Sequence, residues 1–176
     1  NMAMVLAQQR GRVLLVDADM RRGALNAVFR KPLVPGLSDV LVGSAVLAEV
    51  VHTVGFPEGH GLDFLASGTR PPNPTELLSS SVMTEFLRQA NERYDTVVFD
   101  APPLNMVTDA ALLGTKADGV LLVARAGVTE AESLAFAVDQ IERLVGERQR
   151  RDRGLRRRLL PAAPTERDRG DRKVDP

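Results

Sequence analysis

Three short apolar runs stand out along the chain, each bounded by polar or turn-forming residues. Val13-Leu14-Leu15-Val16 reads as a strand buried on both faces, Thr96-Val97-Val98-Phe99 as another apolar strand, and Gly119 to Ala124 (GVLLVA) as a further buried strand. Leu62 to Ala66 reads as a shorter strand that stops at Ser67-Gly68. Between these runs the apolar period lengthens to that of a helix. Asn1 to Gln9 sets Met2, Val5, Leu6 and Gln9 at i, i+3, i+4, i+7 spacing, and Gly11 is a stop signal. Leu37 to Val42 and Ala45 to Val51 are short helix candidates, Arg22 to Gly36 reads as loop, and 54–61 (VGFPEGHG) as turn-rich. The prolines of Arg70-Pro71-Pro72-Asn73-Pro74 make a rigid extended segment. Asn73 as N-cap, Pro74 at the first helical position and Glu76 at the third approximate a capping box for a helix from Pro74 to Leu78. Ser81 is placed to cap Val82 to Glu92, with Val82, Phe86, Leu87 and Ala90 on one face. Residues 107–116 read as a helix that packs Ala110, Ala111 and Leu112 on a sheet, and Thr129 caps a helix over 130–145. Strands alternating with helices predict a three-layer α/β/α fold around a mostly parallel sheet.

The polar residues at the strand ends carry the candidate chemistry. Val13–Val16 runs straight into Asp17-Ala18-Asp19-Met20-Arg21-Arg22. Open α/β sheets bind ligands at the carboxyl ends of their strands, so Asp17 and Asp19 are placed to approach one cation or phosphate, and Arg21 to reach an anion. The plainer alternative is a strand end closed by solvated charges. Thr96–Phe99 ends in Asp100-Ala101-Pro102-Pro103, where the prolines end the strand and stiffen its exit. An apolar run followed by Asp is the Walker B pattern, whose carboxylate orients Mg²⁺, usually through water, beside a nucleotide's phosphates. Three carboxylates at one sheet edge repel each other unless a cation sits between them. That favours a metal–phosphate site.

Composition narrows the class. The 176 residues predict one domain, and no stretch approaches the ~18 apolar residues of a membrane span. There is no signal-peptide pattern. The absence of cysteine excludes disulfides and thiolate metal sites. The net charge of zero hides an asymmetry. Residues 1–146 carry 12 Lys+Arg against 17 Asp+Glu, and residues 147–176 carry 11 against 6. The division predicts an ordered domain over 1–146 and a disordered, Arg-rich tail over 147–176. A nucleic-acid-binding arm is the functional alternative for the tail, but no aromatic residue is interleaved there for stacking. His52 and His60 sit in loop-like sequence and read as surface residues, while Met2, Met4 and Met20 read as core filler.

Taken together, these segments resemble the catalytic domain of the bacterial tyrosine kinases of capsular and exopolysaccharide synthesis, relatives of the deviant-Walker partition ATPases. The resemblance rests on VLLVDADMR (13–21), GLDFLASGTRPPNPTELLSS (61–80), YDTVVFDAPPLNMVTDA (94–110) and ADGVLLVARAGVT (117–129). It implies a P-loop NTPase-like fold, and ATP and Mg²⁺ as cofactors. It also implies roles for three carboxylates. Asp17 is metal-linked or the base that takes the tyrosine proton, Asp19 is its partner, and Asp100 is the Walker B metal ligand. Base and metal roles remain interchangeable between Asp17 and Asp19. Arg21, with Asp19, is expected near the nucleotide, pairing with a phosphate or with a carboxylate. Asp109 is expected to be a helix cap near the site, and Asn73 and Glu76 to be structural or at a subunit interface. Expected partners are a membrane polysaccharide co-polymerase or activator and further copies of the chain, with no nucleic acid. The expected location is the cytoplasmic face of a membrane, reached through that partner.

The sequence departs from the family pattern in two places. The Gly-rich phosphate loop and its Lys-Ser/Thr, which the family carries just before the first helix, do not occur in the 176 residues. The expectation is therefore an incomplete fold whose P-loop strand, central between the two Asp-bearing strands, is missing, giving a fragment inactive by itself that binds ATP weakly at best. The Arg-rich tail also stands where the family usually has another strand and a tyrosine cluster, and Tyr94 is the only tyrosine. Two other functions share these features, a partition-type ATPase switch and a catalytically dead regulatory module.

Overall fold

The computed structural model describes residues 2–9, 11–55 and 61–143. The predicted tail lies outside the described residues. Helix α1 (Met2–Gln8) leads into strand β1 (Val13–Asp17). Then follow helices α2 (Leu25–Phe29), α3 (Leu37–Leu41) and α4 (Leu47–Val50), and strands β2 (His52–Gly55) and β3 (Gly61–Leu65). Helices α5 (Pro74–Ser79) and α6 (Ser81–Arg93), strand β4 (Thr96–Asp100) and helix α7 (Asp109–Lys116) complete the core, and residues 131–143 form a last helix, α8.

The sheet has the order β2-β3-β1-β4. Its β1–β3 and β1–β4 ladders are parallel and β2–β3 is antiparallel. All five residues of β1 are buried, as a run of apolar residues in an internal strand requires. Alternate side chains divide between two cores. Val13, Leu15, Leu62 and Phe64 pack with Ala3 and Ala7 of α1. On the opposite face, Leu14, Val16 and Leu65 pack with Leu37, Leu78, Met83 and Phe86. The result is the predicted α/β fold with helices on both faces of the sheet.

Several expectations are corrected. The two Asp-bearing strands are direct neighbours, pairing residue for residue from Val13↔Thr96 to Asp17↔Asp100. The ladder continues past both ends, through Asp95 N to Arg12 O and Ala18 N to Asp100 O. No strand fits between them, because neighbours already sit one hydrogen-bonding distance apart. The 119–124 segment forms no strand, and Leu121 and Val123 are 65% and 82% exposed. Its apolar residues have no ladder partner among the described residues, so hydrophobicity alone does not make it a strand. The stretch read as turn-rich begins within β2, an edge strand that also holds His52. The stretch read as loop after Arg22 contains α2, whose Phe29 packs on Phe64 at a centroid distance of 5.0 Å.

Helix ends shift as well. Ser80, not Ser81, caps α6, its Oγ accepting from Met83 N at 3.2 Å. The buried face of α6 is Met83, Phe86 and Ala90, with Val82 exposed. Asn73 makes no side-chain cap bond, so the capping box does not form, although Pro74 does take the first turn of α5. In α7 it is Asp109 and Leu113 that are buried, with Ala110, Ala111 and Leu112 only half-buried. Thr129 Oγ1 accepts from Arg125 N at 2.8 Å, closing its own turn instead of capping α8. Met20 lies in the core, but Met2 is exposed.

Candidate functional site

Parallel pairing of β1 with β4 sets Asp17 and Asp100 side by side at the carboxyl edge of the sheet, one strand spacing of about 4.8 Å apart. Asp17 is fully buried. Its Oδ1 accepts from Asp19 N at 3.3 Å and its Oδ2 from Leu25 N at 3.2 Å. Burial pushes its carboxyl up to about 6. The two backbone N–H bonds lower it and the neighbouring Asp100 and Asp19 charges raise it further. Asp100 is also raised, by burial and then by Asp19. The three carboxylates therefore share one electrostatic environment.

Asp19 is held by its own turn. Its Oδ1 accepts from Arg21 N at 3.0 Å and from Arg22 N at 2.9 Å. The Arg21 side chain hydrogen-bonds to a fourth carboxylate, that of Asp109, while it also feels the charge of Asp19. Arg21 Nε donates to Asp109 Oδ2 at 2.7 Å and Nη2 to Oδ1 at 3.3 Å. The Thr75 hydroxyl donates to Asp109 Oδ1 at 2.6 Å and accepts from Arg21 Nη2 at 3.1 Å. Burial by itself raises the Asp109 carboxyl, and these bonds more than offset it, so it lies below the ordinary aspartate value. Of the two roles open to Arg21, the structure displays pairing with a carboxylate. Asp109 is that partner and not a cap. The N-cap of α7 is Thr108, which makes no side-chain cap bond.

Sequence reasoning missed three contributors. Gly23 packs so tightly that a Cβ there would lie 2.3 Å from Ser67 Oγ and 2.8 Å from Asp17 Oδ2. Ser67, at the exit of β3, is buried beside it. Thr75 completes the Arg21–Asp109 cluster, and a cleft of about 420 Å³ opens there between Arg21, Asn73, Pro74, Glu76 and Ser79. Gly23 follows Arg21-Arg22 directly, a place where a residue without a side chain is a usable signal of close approach. Nothing in the sequence marks Ser67 or Thr75. Among the described residues, no three His, Cys, Asp or Glu side chains are arranged to grip a metal ion directly.

A family profile for the AAA domain matches residues 1–151. Tyrosine-protein kinase YwqD of Bacillus subtilis is 43% identical over 141 residues, covering 80% of this chain and 58% of that protein. The chain belongs to the bacterial tyrosine kinase family of P-loop ATPases. The kinase domain of the Escherichia coli tyrosine kinase ETK superposes with a TM-score of 0.75 at 38% identity, over 81% of this chain and 55% of that one. The VpsO kinase domain gives 0.74 at 34% identity, over 81% and 68%. The chain thus spans little more than half the length of the Bacillus kinase. No helix among the described residues is long and apolar enough to cross a membrane.

Proposed function

We propose that this chain supplies the metal-binding part of the catalytic site of an ATP-dependent protein-tyrosine kinase acting in capsular or exopolysaccharide synthesis. One observation carries the reading: Asp17 and Asp100 are register partners at the carboxyl edge of the sheet, with Asp17 buried and its proton affinity raised. A buried carboxylate beside a second one, with only two backbone N–H groups to offset its desolvation, suits a divalent cation. Since no three-carboxylate cage is present among the described residues, Mg²⁺ is expected through water, with Asp17 and Asp100 as its anchors. Bound there with ATP, Mg²⁺ would neutralise charge on the phosphates. With no cation beside it, Asp17 is the alternative acceptor of a tyrosine hydroxyl proton, because burial raises its proton affinity; a Mg²⁺ held by Asp17 would lower that affinity and leave it the metal role alone. Asp19 flanks both, and Arg21 serves the nucleotide only if it leaves Asp109 or uses its remaining N–H groups.

The 176 residues contain no G-x-x-x-x-G-K-[S/T] sequence, so backbone donors for the β-phosphate must come from elsewhere. The chain by itself is therefore expected to bind Mg·ATP weakly and to transfer no phosphate. That same observation favours a second reading, a catalytically silent regulatory module. The family's activator, a membrane polysaccharide co-polymerase, and self-association at a membrane's cytoplasmic face belong to the first. The test is transfer of labelled phosphate from ATP to a tyrosine-containing copolymer. It is run on this chain and on a chimera in which the family's phosphate loop precedes α1. Turnover by the chimera, lost by orders of magnitude in Asp100→Asn, supports the kinase reading. A folded chimera without turnover selects the regulatory module.

A further inference from the structure

Asp109 is 1% exposed, yet it belongs to neither strand end that bears the proposed catalytic carboxylates. Buried acids at helix starts are commonly caps, but this one spends its bonds on Arg21 and Thr75. The cluster joins three separate pieces of chain: the exit of β1, the first turn of α5 and the first turn of α7. The exit of β1 continues the connection. The backbone N–H groups of Arg21 and Arg22 both point at Asp19 Oδ1, so where the Arg21 backbone sits decides where the Asp19 carboxylate sits.

We propose that Asp109 and Thr75 are positioning residues for the metal–nucleotide site, holding the Arg21 fork and, through the Arg21 and Arg22 amides, the Asp19 carboxylate. The inference rests on the reading of Asp17, Asp19 and Asp100 as that site. A guanidinium fixed by two bonds to one carboxylate and a third to a hydroxyl has little freedom, so its backbone has little either. The Thr75 hydroxyl is used in both directions, which fixes the rotation of the Asp109 carboxylate as well. Groups that orient metal-site ligands from behind typically contribute about 10–100-fold to metal affinity. Asp109 is coded nine residues after Asp100 on the same connection. One ion pair therefore ties the β1 exit loop to the β4 exit loop, which bear the acids that must face one ion.

The experiment is a Mn²⁺ titration read by electron paramagnetic resonance. It uses the wild-type chain, Asp100→Asn, Asp109→Asn, Thr75→Val and Arg21→Lys, with folding of each verified by circular dichroism. Arg21→Lys keeps the charge and the backbone amide but loses the fork. Wild type is expected to bind, and Asp100→Asn to bind far more weakly. The three cluster variants are expected to lose about 10-fold each. In an Asp19→Asn background the same three substitutions should cost nothing further, a result that general loosening of the fold would not produce. If Asp109→Asn does not fold, Thr75→Val and Arg21→Lys decide. Folded cluster variants with wild-type affinity, or losses that persist undiminished in the Asp19→Asn background, overturn the positioning role while leaving the site intact. Equal affinities for wild type and Asp100→Asn overturn the metal-site reading itself.

Discussion

Asp17→Asn removes a buried charge while keeping the shape of the side chain, so it isolates the electrostatic cost of the site. The folded carboxyl titrates at about 6 against an ordinary value of 3.8, with burial as the main cause. Above pH 6 both folded and unfolded chains carry the charge, and the folded state bears its desolvation unrelieved. Between pH 6 and 3.8 the folded chain takes up the proton and the unfolded chain does not, so stability from this group rises as pH falls. From about pH 7.5 to about 5.0 the gain works out at about 1.4 kcal/mol, or roughly 5 °C in melting temperature. The substituted amide cannot titrate and shows no such gain. It does face Leu25 N–H with one acceptor fewer, which costs about 1 kcal/mol at every pH and cancels from the pH dependence. The assay is urea unfolding of both proteins at those two pH values without divalent ions. The difference between wild type and Asp17→Asn should shift in favour of wild type by about 1.4 kcal/mol on acidification. A constant difference, or one that shifts the other way, refutes the assignment of Asp17 as an acid whose proton affinity is raised by burial.

Gly23→Ala should damage the site more than the fold. Its methyl group must displace Ser67 Oγ, Asp17 Oδ2 and the backbone carbonyl oxygen of Asp19, and Mn²⁺ affinity should fall while the helix and strand content read by circular dichroism is unchanged. Phe64→Ala should cost about 3–5 kcal/mol in urea unfolding, because Phe64 is fully buried and packs on Phe29. Arg12→Ala should leave the urea midpoint within error, since the Arg12–Asp95 pair lies in solvent on both sides.

The parts of this fold that can be read from sequence are those with a strong local signal. β1 is a run of four apolar residues closed by Asp17, β4 carries a similar run closed by Asp100, and β3 a shorter apolar stretch broken by Asp63, so each strand lies close to where its pattern puts it. The carboxylates follow because they are covalently attached to those strand ends. The unreadable parts depend on partners distant in sequence. β2 is four residues long and half-exposed, and its glycine-rich surroundings suggest a turn until β3 supplies a ladder. The 119–124 segment is the opposite case, a strand-like sequence with no strand beside it among the described residues. The neighbour relation of β1 and β4 is set by register between segments far apart in the chain. The Arg21–Asp109 pair spans 88 residues, with Thr75 between them, and no spacing rule joins those three.

The central claim is that Asp17, Asp19 and Asp100 surround a single divalent-cation position at the carboxyl edge of the sheet. Paramagnetic broadening of backbone amide signals by Mn²⁺ tests it most directly, because the effect falls off steeply with distance from the ion. Substoichiometric Mn²⁺ should erase the signals of Ala18, Asp19 and Ala101 first. Those of Val13 and Thr96, at the other end of the same two strands, should stay sharp. Asp100→Asn should abolish the selectivity. Broadening centred on any other surface, or the same pattern in Asp100→Asn, would contradict the account.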